Sequence, residues 1–141
     1  MQYPESPTSP SPDEQASALL AAWRAIGDDK GHWEEANIKP ILERDPEVGL
    51  SIIGLLSRSS NAFEQEAAAV HLANLSHEVP KDDYLAVVDE LARSHSYAVR
   101  RDLIETLVQY PVRHDVSWAE IRESIGPFLR VPDASSSERD R

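Results

Sequence analysis

The stretch LARSHSYAVRRDLIETLVQY, Leu91–Tyr110, decides the fold. An apolar segment stops at the polar break Ser94-His95-Ser96, and a second starts at once with Ala98-Val99-Arg100-Arg101. Upstream, Tyr84, Val87, Val88 and Leu91 recur at helical spacing. Downstream, Val99, Leu103, Ile104, Leu107 and Val108 do the same until Pro111 stops the pattern. Two short amphipathic helices joined by a tight turn cannot bury their faces alone, so they must stack on neighbours. Val99 is expected to point inward. Arg100 and Arg101 are expected at the rim, in ion pairs with Asp89, Glu90 or Asp102.

Working outward, the other segments read the same way. SPDEQASALLAAWRAIG opens with a capping box: Ser11 at the N-cap, Pro12 at the first helical position and Glu14 three residues after the cap. Ala16, Leu19, Leu20, Trp23 and Ile26 mark one face of that helix, and Gly27 suits the position just past its end. In GHWEEANIKPILER, Pro40 must kink or split the segment. DPEVGLSIIGLLSRS takes Asp45 as cap, with Val48, Ile52, Leu55 and Leu56 on one face. Gly49 and Gly54 each cost about 1 kcal/mol against Ala in a helix interior, which suggests close packing. Asn61 and Glu64 stand in capping-box spacing before an Ala-rich helix. Ser117 and Glu120 form a second box, Val116 can staple against Ile121, and Gly126-Pro127 is expected to break or bend that helix. No strand alternation and no Asn-Gly or Asp-Gly hairpin signal occurs. The expected fold is all-α, six or seven helices in a short stack of antiparallel helix pairs.

Residues 1–12 hold four of the ten prolines with Ser and Thr and are expected to be a disordered tail; 131–141 form a second, polar one, leaving one folded domain over 13–130. Sliding the chain by 36 positions sets Val48 on Tyr84, Ile52 on Val88 and Leu55 on Leu91. In the second helices the same shift sets Phe63 on Val99, Ala67 on Leu103, Ala68 on Ile104 and Leu72 on Val108. The pair 46–77 is therefore expected to repeat as the pair 81–110.

YLAVVDELARSHSYAVRRDLIETL resembles a HEAT repeat, with Val99-Arg100 where that family opens its second helix with a Val-Arg pair. The resemblance covers Tyr84–Tyr110 and implies an armadillo/HEAT-type stack with a groove along the second helices. Ser94 stands where the family has an Asp that bonds the Arg of a neighbouring repeat, and the earlier copy has Phe63-Glu64 in place of Val-Arg.

The charge balance narrows the function. Twenty-five acids face fourteen bases, for a formal net charge of −11. Such a chain repels phosphate backbones and attracts basic partners. With no cysteine, disulfides, thiolate metal sites and a cysteine nucleophile are excluded. No apolar run reaches the roughly 20 residues of a membrane span, and the first residues carry no basic-then-apolar leader pattern. A soluble, cytoplasmic protein is expected.

Chemistry-bearing motifs are missing. His71 and His77 lie about 240° apart on a helix and share no face, and no His-Glu-x-x-His occurs. His71 is expected buried or half-buried with one hydrogen bond, and His95 exposed in a turn. Asp82-Asp83 sits at a helix start, where acids meet the positive end of the dipole. No metal, cofactor or catalytic residue is expected. All three tryptophans are expected to pack in the core. Trp33, following Gly31-His32, could also anchor a partner.

The expectation is a non-enzymatic protein-binding module. Glu66, Asp102, Glu105 and Gln109 line the polar face of the second helices, and that face would engage a basic protein. Two alternatives stand beside it: a bacterial immunity protein that masks a cognate nuclease toxin, and a structural adaptor in a larger assembly. The alkylated-base glycosylases that some HEAT-like proteins resemble need a basic groove and a longer stack, and this sequence has neither.

Overall fold

Four-residue capping signals place the helix starts. Ser11 Oγ accepts the Glu14 N–H, and Glu14 Oε1 accepts the Ser11 N–H in return. That box opens α1 (Pro12–Ala25). Asp45 and Ser96 cap α4 (Pro46–Ser57) and α7 (Tyr97–Gln109) by accepting the N–H three residues on. Ser117 and Glu120 repeat the reciprocal box before α8 (Trp118–Leu129). Between these lie α2 (Lys30–Asn37), α3 (Lys39–Arg44), α5 (Ala62–His71), a 3-10 turn (Leu72–Asn74) and α6 (Lys81–Ala92). This is a computed structural model, and it describes residues 10–110, 113 and 115–129; of the expected tails over 1–12 and 131–141, residues 1–9 and 131–141 lie outside the described residues, and Pro12 already belongs to α1 because Ser11 caps it.

Among the described residues the chain is all-α, with eight α-helices where six or seven were expected. The extra one comes from Pro40. It sits at the second position of α3, and the helix divides at Ile38, which ends α2 and begins α3. The helices form two rows. In the first, α1 and α3 pack on α4, α4 on α6, and α6 on α8. In the second, α5 packs on α7. The pairs α4/α5 and α6/α7 join the rows, so a short stack of helix pairs results.

The core runs through the seam. Trp23 and Leu20 of α1, Leu42 of α3, Ile52, Ile53 and Leu56 of α4, Val88 and Leu91 of α6 and Val99 and Leu103 of α7 are all buried. Gly49 is where α3 and α4 touch. A Cβ there would stand 3.2 Å from the Leu42 Cα and 3.4 Å from its carbonyl oxygen.

The two helix pairs are equivalent at an offset of 35, not 36. At 35, Ile52 falls on Val87, Ile53 on Val88, Leu56 on Leu91 and Ser57 on Ala92, buried on buried throughout. In the second helices Ala68 falls on Leu103 and Leu72 on Leu107, again both buried. The shift of 36 instead pairs Phe63, 56 % exposed, with buried Val99, and buried Leu72 with Val108, 69 % exposed. The turns agree in detail. Ser59 Oγ accepts the Asn61 N–H, and Ser94 Oγ accepts the Ser96 N–H. Gln65 donates from Nε2 to the Ser59 carbonyl at 2.6 Å, and Arg100 donates from Nη1 to the Ser94 carbonyl at 2.6 Å. One bond ties turn to turn: Ser94 Oγ donates to Gln65 Oε1 at 2.6 Å.

Other expectations are corrected by the same packing. Arg100 is buried and committed to the Ser94 carbonyl, so only Arg101 is at the rim, 3.6 Å from Asp102. Trp118 is 48 % exposed, because α8 packs against α6 through Ile121 and Ile125 instead. Of the break or bend expected at Gly126-Pro127, the break does not occur: α8 continues to Leu129 with Pro127 inside it. Asn61 caps α5, but Glu64 does not complete the box; its carboxylate turns to Arg24.

Candidate functional site

Two carboxylates fasten the N-terminal helices to α5. Glu34 of α2 accepts from Trp23 Nε1 at 2.6 Å through one oxygen and from His71 Nε2 at 2.7 Å through the other. His71 Nδ1 faces the Asn74 amide at 3.4 Å, so both ring nitrogens are engaged. Burial alone would raise the Glu34 carboxyl, but the bonds from His71 and Trp23 outweigh it and hold it below its ordinary value. Glu64 forms a bidentate pair with Arg24, Nε–Oε2 2.8 Å and Nη2–Oε1 2.9 Å. That pair, outweighing burial, holds Glu64 low and raises Arg24.

Above this floor a groove of about 290 Å³ opens between the start of α2, the outer face of α5 and the edge of α7. Phe63 and Val70, one face of α5, form its apolar wall at 56 % and 51 % exposure. Phe63 also stacks on Trp23, ring centroids 6.0 Å apart and 9° from parallel. Glu66 comes from α5 and Asp102 from α7, so the packing of α5 on α7 brings two of the expected site residues into one groove. Lys30 stands at the opposite rim, bonded to the Ile26 carbonyl with Nζ 5.5 Å over the Trp23 ring.

Glu105 and Gln109 continue the line of Asp102 along α7 and are exposed, outside the groove lining. Trp33 is also outside it: the ring is partly buried against the core. The residues that sequence reading missed are Phe63 and Val70. A shift of 36 sets Phe63 on buried Val99 and so hides its exposure, and in an Ala-rich helix the apolar pattern alone does not mark which face is covered. The face is thus amphipathic, and Arg101 interrupts its acids.

The groove lining offers carboxylates, a histidine, a lysine and apolar surface, but no hydroxyl or thiol nucleophile. Glu34 and His71 are already spent on each other. Among the described residues no group of three His, Asp or Glu side chains is placed to hold a metal, and no helix is long and apolar enough to cross a membrane. A second, smaller cavity of about 20 Å³ lies between Tyr84, Thr106, Tyr110 and Arg113. Arg113 is buried there, paired with Asp115, donating to the His77 carbonyl and lying over the Tyr84 ring, with no hydrogen-bond partner for Nη1 among the described residues. Comparison with protein-family models, curated proteins and solved structures found no match to this chain.

Proposed function

We propose that the protein is a non-enzymatic binding module, a HEAT-like stack whose second-helix face docks a basic, partly apolar segment of another protein. One observation carries this reading. The α2–α5–α7 groove sets exposed Phe63 and Val70 beside Glu66 and Asp102, which come from two different helices. Large apolar groups this exposed are desolvation anchors, and flanking carboxylates select cationic neighbours and speed encounter. Glu105 and Gln109 extend the acidic line for a longer contact. The overall charge of −11 steers basic partners toward the molecule and keeps nucleic acid away. A cytoplasmic setting suits a chain without cysteine.

The test begins with capture from a lysate of the source organism, elution in a salt gradient, and purification of the protein released. Its affinity is then measured for the wild type, for Glu66→Lys with Asp102→Lys, and for Phe63→Ala with Val70→Ala. Each double variant is expected to weaken binding by at least about tenfold, and rising salt to slow association. Unchanged affinity in both variants sinks the groove assignment. A basic nuclease as the purified partner would select the immunity-protein form of this reading.

A further inference from the structure

The two most exposed large apolar residues in the described structure, Val108 at 69 % and Tyr97 at 66 %, are both on α7 and neither faces the groove. Seven residues turn a helix by about −20° and eleven by about +20°, so Tyr97, Ile104 and Val108 form one stripe. Asp102, which faces α5, lies about 140° from it. The stripe is therefore on the flank of α7 turned away from α5. Ile104 is only partly buried at its centre. Among the described residues the second row ends here, because the next helix, α8, packs on α6 in the first row.

The segment that follows α8, RVPDASSSERDR, carries no apolar stripe to lay against this flank. Another copy of α7 does. On the same side of the stripe stand Arg101 and Glu105, about 40° and 80° from Tyr97. In an antiparallel pair related by a two-fold axis, like flanks face each other. An axis passing Leu103 sets Arg101 opposite Glu105 of the second copy and Glu105 opposite its Arg101. The same register lays each Tyr97 ring over the far end of the stripe, beside Val108.

We infer that this flank is a self-complementary interface and that the protein forms an isologous dimer through antiparallel α7 helices. The contact is one helix of 13 residues wide, at the small end of specific interfaces. The charge of −11 on each copy opposes approach, so the dimer is a weak one that forms as concentration rises.

Sedimentation equilibrium on the full chain, from micromolar to millimolar, reads the mass directly. The wild type is expected to move from one chain toward two. Val108→Asp is expected to stay at one chain with unchanged helical circular dichroism. Arg101→Glu alone sets acid against acid and Glu105→Arg alone sets base against base; each is expected to weaken the dimer by about tenfold, and the two together to restore it. A wild type that stays at one chain at millimolar concentration overturns the proposal. So does a dimer that tolerates Val108→Asp, or a double variant as weak as its singles.

Discussion

The two buried glycines of α4 show how one neighbour decides the effect of one methyl group. Both sit in a helix interior, where Ala is better than Gly by about 1 kcal/mol. At Gly54 the nearest atoms to a new Cβ are those of the Arg58 guanidinium, 3.1 Å away on a flexible side chain that can move. At Gly49 they are the Leu42 Cα and carbonyl oxygen, with Leu75 Cδ1 between them in distance at 3.3 Å, and the Leu42 backbone is held by its own helix and by the Ser76 N–H bonded to its carbonyl. Gly54→Ala is therefore expected to stabilise by about 0.5–1 kcal/mol. Gly49→Ala is expected to destabilise by about 1–3 kcal/mol, as overpacking does. Denaturant midpoints of the two variants check this, and a stabilised Gly49→Ala would show that α3 yields easily. The sequence suggested close packing at both positions. It could not separate them, because the difference lies in what α3 and Arg58 place opposite, far outside a helical period.

At the scale of elements, what was legible was what is local. The boxes Ser11/Glu14 and Ser117/Glu120 each close within four residues, and both appear as read. The helix pairing was legible too, since turns and apolar faces are written in adjacent segments. The repeat offset was not. Ala67, Ala68 and Ala69 look alike in sequence, and only burial tells them apart. The signal that could have fixed it was polar: Ser59/Ser94 in the turn and Gln65/Arg100 six residues on, each bridging back to the turn carbonyl. That equivalence makes a prediction. Since Gln65 at the matching place reaches the equivalent carbonyl, that of Ser59, at the same distance, Arg100→Gln is expected to cost less than about 0.5–1 kcal/mol. Arg100→Leu leaves the Ser94 carbonyl without this donor and is expected to cost about 1–3 kcal/mol. Ser94→Ala removes both the Ser96 acceptor and the link to Gln65, and a loss of about 1–2 kcal/mol is expected from it. Thermal unfolding of the three variants orders them; equal losses for the Gln and Leu changes would mean that Arg100 acts by packing alone.

Across the whole molecule, stability against acid rests on the carboxylates that gather α1, α2 and α5. Glu34 and Glu64 both titrate below the ordinary glutamate value in the folded protein. A depressed folded pKa means that the unfolded chain binds the proton more readily, so stability rises with pH across that window. Their contribution is complete above the unfolded value of about 4.3 and is lost as pH falls through the lower folded values. The floor of the groove loosens in the same window, because Glu34 holds Trp23 and His71 beneath Phe63 and Val70. Glu34→Gln keeps the shape but loses the charge. It is expected to lower stability at neutral pH by about 1–3 kcal/mol, the worth of hydrogen bonds to a charged group. It is also expected to flatten the acid limb, since one of three depressed carboxylates is gone; the others are Glu64 and the exposed Glu120, held low by the Ser117 N–H and by Lys81. Urea unfolding of both proteins at a series of pH values from about 3 to 7 measures the two slopes. Parallel acid limbs would place the acid sensitivity in Glu64 with its partner Arg24 and in Glu120 with Lys81, and would leave Glu34 as a positioning group whose charge state does not govern the fold.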